Sequence, residues 1–121
     1  MTKAILVVDD DGRNRKLLET LLSLDGYAVQ SVADGAAALA AVAASPPDAI
    51  LIDLMMPGMD GFEVVRRLKA DPGSARIPVV MVTAIDDEAS RSRLTAAGVA
   101  EVIVKPLDRW HLKSCLERLL P

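Results

Sequence analysis

The chain has 121 residues, 51% hydrophobic and 26% charged, a balance that excludes a disordered polypeptide and allows one core without covalent staples. Its 14 basic and 17 acidic residues leave a net charge of −3, which attracts neither nucleic acid nor an anionic membrane, and Tyr27, Phe62 and Trp110, its only aromatics, offer little platform for base stacking. One cysteine, Cys115, and one histidine, His111, exclude an internal disulfide, a multi-cysteine metal site and a zinc cluster.

No apolar stretch approaches the roughly 20 residues of a membrane span. The opening run Ala4–Val8 is too short for a signal peptide, so the expected location is the cytoplasm. That run is the first predicted strand. Asn14, Leu17, Leu18, Leu21 and Leu22 then share one helical face, and Gly26 ends that helix. Tyr27–Val32 alternates apolar and polar residues, as an edge strand does. Asp34 caps a second helix over Ala36–Ala44, rich in alanine and stopped by Ser45-Pro46-Pro47. Ala49–Ile52 is the third strand. Asp60 and Glu63 have capping-box spacing and open a third helix that ends at Asp71-Pro72-Gly73.

Val79–Val82 is the fourth strand. Asp86, Asp87 and Glu88 place negative charge at the start of a fourth helix, where its dipole favours it. That helix offers little apolar surface beyond Ala89, Leu94 and Ala97, which predicts loose attachment. Val102–Val104 is the fifth strand. Asp108 caps a fifth helix whose stripe is Leu112, Cys115, Leu116 and Leu119. Cys115 is expected as a buried thiol and His111 as an exposed residue. Trp110 lies about 160° around the helix from Leu112 and is expected to be at least partly exposed.

Strand and helix alternate five times, which predicts an α/β fold, a doubly wound parallel sheet with helices on both faces, in one domain over residues 1–121. Asp9 and Asp10 follow the first strand, Asp53 the third, Thr83 the fourth and Lys105 the fifth. All sit at the C-terminal edge of the sheet, where open parallel sheets bind ligands. Crowded carboxylates raise one another's pKa, and a divalent cation relieves that. Oxygen-only ligands favour a hard ion such as Mg²⁺. Lys105 offers a charge and Thr83 a hydroxyl to phosphoryl oxygens, so Asp53 can serve as a nucleophile that forms an aspartyl-phosphate. Asp11 reads as a solvated or N-capping residue, Asp60 as a cap, and Met55-Met56 as packing and site cover.

The set Val7-Val8-Asp9-Asp10, Ile52-Asp53-Leu54-Met55-Met56-Pro57-Gly58-Met59-Asp60-Gly61, Val82-Thr83-Ala84 and Val104-Lys105-Pro106 resembles the receiver domain of two-component response regulators, of the chemotaxis-regulator kind. The resemblance runs from about Lys3 to Leu120. It implies a flavodoxin-like five-stranded sheet in the order 2-1-3-4-5, with five helices. It implies that Asp53 takes a phosphoryl group from the phosphohistidine of a sensor kinase or phosphotransfer protein. The domain would catalyse only its own phosphorylation and dephosphorylation and would signal to an effector or output domain. Asp10, Asp53 and the Met55 carbonyl would bind Mg²⁺ directly and Asp9 through water. Thr83 and Lys105 would contact the phosphoryl group, and the bond before Pro106 would be cis.

The family often has an aromatic residue three positions before the lysine; here it is Val102, so a large rotating ring cannot report phosphorylation. The surface of the fourth helix, fifth strand and fifth helix, which carries Trp110, would dock partners or a second copy. No output domain is expected within this sequence. Two enzyme classes compete with this reading. An aspartyl phosphohydrolase would want a second aspartate where Met55 stands, and a flavin carrier would want aromatic and Gly/Ser/Thr-rich phosphate loops. A degenerate receiver acting as a phosphorylation-independent interaction module is the remaining alternative.

Overall fold

The computed structural model describes residues 2–121. The predicted alternation forms β1 (Ala4–Val8), α1 (Gly12–Leu24), β2 (Ala28–Val32), α2 (Gly35–Ala44), β3 (Ala49–Asp53), α3 (Gly61–Ala70), β4 (Val79–Thr83), α4 (Glu88–Ala96), β5 (Glu101–Val104) and α5 (Arg109–Leu119). The sheet is parallel and its order is β2-β1-β3-β4-β5. β1 therefore pairs with both β2 and β3, with Ile5 opposite Val29 on one side and Ala49 on the other.

Burial follows from that order. β3 and β4 are buried along their whole length, and β1 almost so, which is why these runs are continuously apolar. Successive side chains point to opposite faces and divide the core in two. Leu6, Val8, Ile50, Ile52, Val79 and Met81 pack with Ala38 and Val42 of α2, Val64, Val65 and Leu68 of α3, and Leu94 of α4. Ile5, Val7, Leu51, Val80 and Ile103 pack with Leu18 and Leu22 of α1 and with Leu112, Cys115 and Leu116 of α5. β2 is the edge strand the alternation predicted.

All five helices are N-capped by aspartate. Asp11, Asp34, Asp60, Asp87 and Asp108 each accept a backbone N–H from the first turn that follows. Gly26 ends α1 with φ at +91°, a conformation that side chains with a Cβ rarely adopt.

Three expectations need correction. β2 begins at Ala28 and β5 at Glu101, while Asp53 and Thr83 are the last residues of their strands rather than the first residues beyond. The reason is pairing: Asp53 stands in register with Val82, and Thr83 with Val104. Leu17 is 51% exposed, because the buried face of α1 narrows to Leu18 and Leu22, one turn apart. The capping box at α3 is half made. Asp60 accepts from the Glu63 N–H at 2.9 Å, but the Glu63 carboxylate turns to Arg66 and Arg67.

α4 is held as weakly as its sequence predicts. Leu94 is its only buried residue, Ala89 is exposed and Ala97 half-buried. Leu94→Ala is expected to cost about 2–4 kcal/mol and to release α4 before the other helices. Native-state hydrogen exchange would show loss of protection over residues 88–96 while α3 stays protected.

Candidate functional site

The C-terminal edge of the sheet gathers the predicted polar residues. β1 and β3 are neighbours, so the acids at their ends meet. One carboxylate oxygen from each of Asp9, Asp10 and Asp53 lies within 4.8 Å of the others. Asp9 is 3% exposed and Asp53 8%, whereas Asp10 is open to solvent. Asp9 is fixed twice over: its N–H donates to the Val32 carbonyl, and its carboxylate accepts the Asp11 N–H at 2.9 Å.

From the other side, Lys105 Nζ stands 3.5 Å from Asp53 Oδ1. The Lys105 amide donates to the Thr83 carbonyl at 2.8 Å, and the peptide bond to Pro106 is cis, as the resemblance implied. Thr83 is 1% exposed, and its Oγ1 accepts the Ile85 N–H at 3.0 Å. The structure thus brings Asp9, Asp10, Asp53 and Lys105 together at the ends of three strands, and Thr83 ends β4, the strand beside Asp53.

Burial pushes the Asp53 carboxyl above its ordinary pKa. Lys105 opposes that rise and Asp9 adds to it, with the net result upward. The donor set is three carboxylates without nitrogen or sulfur, which suits a hard, oxygen-seeking divalent cation.

Several neighbouring residues fall as the sequence suggested. Asp11 and Asp60 are caps, Cys115 is buried in the core, and His111 is exposed. The Met55-Met56 pair divides: Met56 joins the core while Met55 is 64% exposed. Trp110 is 66% exposed, with the Arg109 guanidinium 5.1 Å and the Lys113 ammonium 5.6 Å from its ring centre. Val102 is half-buried against the α2–α4 side of the core, in register with Met81.

One positional role was missed. A Cβ on Gly61 would lie 2.6 Å from the Asp53 carbonyl oxygen and 2.9 Å from Leu54 Cα, and the Gly61 N–H donates to the Leu54 carbonyl. The first turn of α3 therefore abuts the backbone that carries Asp53. The sequence carries no distinguishing signal for it, since glycine also follows the caps Asp11 and Asp34.

A family profile described as the response regulator receiver domain matches residues 5–117. The chain belongs to this family. It is 47% identical over 108 residues to response regulator PleD of Caulobacter vibrioides, covering 89% of this chain and 24% of PleD. It is 38% identical over 120 residues to response regulator MprA of Mycobacterium bovis, covering 99% of this chain and 51% of MprA. The chain thus spans about a quarter of the length of PleD and about half that of MprA.

Among solved structures, chemotaxis protein CheY4 of Vibrio cholerae superimposes with a TM-score of 0.94 at 31% identity, over 99% of this chain and 100% of CheY4. The receiver domain of sensor histidine kinase PA1611 from Pseudomonas aeruginosa does so with a TM-score of 0.90 at 32% identity, over 98% of each chain, and holds a magnesium ion in its active-site cleft. This chain is a two-component receiver domain with the flavodoxin-like sheet order of that family. Receivers of this family work with histidine kinases and output domains. No described helix is long and apolar enough to cross a membrane.

The raised pKa of Asp53 has a consequence for stability. An acid that holds its proton more tightly in the folded chain favours folding at low pH and loses that advantage as pH rises through the folded value. Without metal, Asp53→Asn is expected to raise the thermal midpoint by a few degrees at neutral pH. The gain should vanish at about pH 3, where the aspartate is protonated in both states. Differential scanning calorimetry across pH checks both the sign and the window.

Proposed function

We propose that Asp53 accepts a phosphoryl group from the phosphohistidine of a sensor kinase or phosphotransfer protein, and that the resulting change in the β4–α4 region carries the signal. The observation that supports this most is the Lys105 ammonium set 3.5 Å from a buried carboxylate at the centre of an acidic cluster.

In this reading the chain's residues divide the work. Asp53 Oδ attacks phosphorus as the phosphorus–nitrogen bond breaks, and the histidine nitrogen leaves with the bonding electrons. The Lys105 side chain turns from the carboxylate to a phosphoryl oxygen. The Thr83 hydroxyl accepts from Ile85 with a lone pair, so its own proton is free to go to a second phosphoryl oxygen. Asp10, Asp53 and the Met55 carbonyl would hold Mg²⁺ directly, and Asp9 through water. When bound, Mg²⁺ supplies neutralisation of the charge gathered in transfer.

Movement of Thr83 toward the phosphoryl group pulls on the loop that leads into α4. With Val102 where an aromatic rotor often stands, the loop and α4 are the route of the signal, as a shift between two populated states. The domain catalyses only its own phosphorylation and dephosphorylation. It works in the cytoplasm, and its signal passes to an effector or output domain, or to a second copy, at the surface of α4, β5 and α5. All five site residues are present, so nothing favours a degenerate, phosphorylation-independent module.

Acetyl phosphate with Mg²⁺ is expected to add one phosphoryl group, read by intact mass. Omission of Mg²⁺, or Asp53→Asn, should abolish the addition while the circular dichroism spectrum stays native. Full labelling of Asp53→Asn would exclude Asp53 as the acceptor.

Trp110 is a costly aromatic left outside, a natural anchor for an interface. Trp110→Ala is expected to leave labelling of Asp53 intact and to weaken partner binding or phosphorylation-dependent dimerisation about tenfold or more. Analytical ultracentrifugation and partner titration measure this. Heavy thermal destabilisation with normal binding would make Trp110 a packing residue instead.

A further inference from the structure

Arg15, in the first turn of α1, makes an unusual use of its charge. Its Nη1 donates to the backbone carbonyl of Asp9 at 2.7 Å. Among the described residues, no carboxylate oxygen lies within ion-pair distance of its guanidinium, although acids surround it in sequence. The side chain lies back over the β1–α1 turn, where its Nη2 comes within 3.4 Å of the place a Cβ on Gly12 would occupy. Its own amide donates to the Asp11 carbonyl, so Arg15 grips the turn at two points.

The gripped carbonyl belongs to the peptide unit that joins Asp9 to Asp10. Asp9 is anchored by its N–H to Val32 and by its carboxylate to the Asp11 N–H. Asp10 is exposed, and among the described residues no hydrogen bond holds its carboxylate. The orientation of Asp10 therefore depends on the peptide unit before it. That unit would otherwise be free to tilt under the mutual repulsion of three carboxylates.

We infer that Arg15 is a positioning residue for the acidic cluster. By fixing the Asp9–Asp10 peptide unit it keeps the Asp10 carboxylate turned toward Asp9 and Asp53, preorganised for a divalent cation. Two physical effects of Arg15 oppose each other. Its positive charge near the cluster disfavours a cation, whereas its hydrogen bond holds the ligands where a cation needs them. Partners that orient ligands in this way are typically worth about tenfold or more in metal affinity. Under this inference, positioning is the larger of the two.

This opposition makes the inference testable by sign. Mg²⁺ is titrated into the wild-type chain, Arg15→Ala and Arg15→Lys, followed by the amide shifts of residues 8–10 and 53 and by calorimetry. Arg15→Ala is expected to weaken Mg²⁺ binding about tenfold. Arg15→Lys, which retains a donor of similar reach, should recover most of that loss. The loss should persist at high salt, where a pure charge effect is screened. Circular dichroism should show the fold retained, since Arg15 is only half-buried and α1 is held by Leu18 and Leu22. Unchanged or tighter Mg²⁺ binding by Arg15→Ala would overturn the inference.

The inference rests on the proposed function only for the identity of the cation, and the two fail separately. A wild-type chain that binds Mg²⁺ but is never labelled on Asp53 refutes the proposed function alone. Normal labelling with undiminished affinity in Arg15→Ala refutes the role of Arg15 alone. At saturating Mg²⁺ the labelling rate of Arg15→Ala should return to that of the wild type, which separates weaker binding from a damaged nucleophile.

Discussion

Three carboxylates held within 4.8 Å of one another at the rim of a sheet are the constraint on which the rest of the structure depends. Their mutual repulsion and the burial of Asp53 work against folding, and adjacency in the sheet enforces both. Because β1 lies between β2 and β3, the residues that end β1 and β3 are neighbours whether or not they repel. The apolar layers on either face hold those strands in place. The site's unfavourable electrostatics is thus sustained by Ile50, Leu51, Ile52, Val7 and Val8, none of which does any chemistry.

The same rim carries a second population of acids with a different task. Five aspartates cap five helices, and each begins the helix that descends from the sheet's C-terminal edge. Composition alone would lump the two populations together. Position separates them. Of the three consecutive acids Asp9, Asp10 and Asp11, the third turns its carboxylate to the N–H of Arg13. The first two are left to the crevice.

This shows what the sequence made legible. Strand order aside, the fold is written in continuous β-branched runs broken by helical stripes, because burial on both faces leaves no room for polar alternation. The site was legible because its residues interrupt those runs at their ends. What stayed hidden depends on distances between segments remote in sequence. Gly61 reads as an ordinary glycine until its backbone is seen against the Asp53 carbonyl. Leu17 belongs to an apolar stripe in one dimension, yet stands outside the narrower contact the sheet makes with α1. Arg15 looks like one more surface cation, and nothing in the pattern shows that it bonds a carbonyl six residues back. Glu63 has the spacing of a capping box, but two arginines one turn later compete for it.

The close approach of Gly61 to Asp53 also divides the molecule into a stiff side and a compliant one. On one flank, α3 is butted against the backbone of Asp53, with Val64, Val65 and Leu68 seated deep in the core. A force applied at Asp53 meets high resistance there. On the other flank, the loop after Thr83 leads to a helix with one leucine as its keel. In the proposed reading, displacement would take the softer path, and a load placed at the centre of the rim would deflect the molecule toward α4. Direction in this domain is a property of unequal rigidity: the glycine braces one wall so that the other can yield.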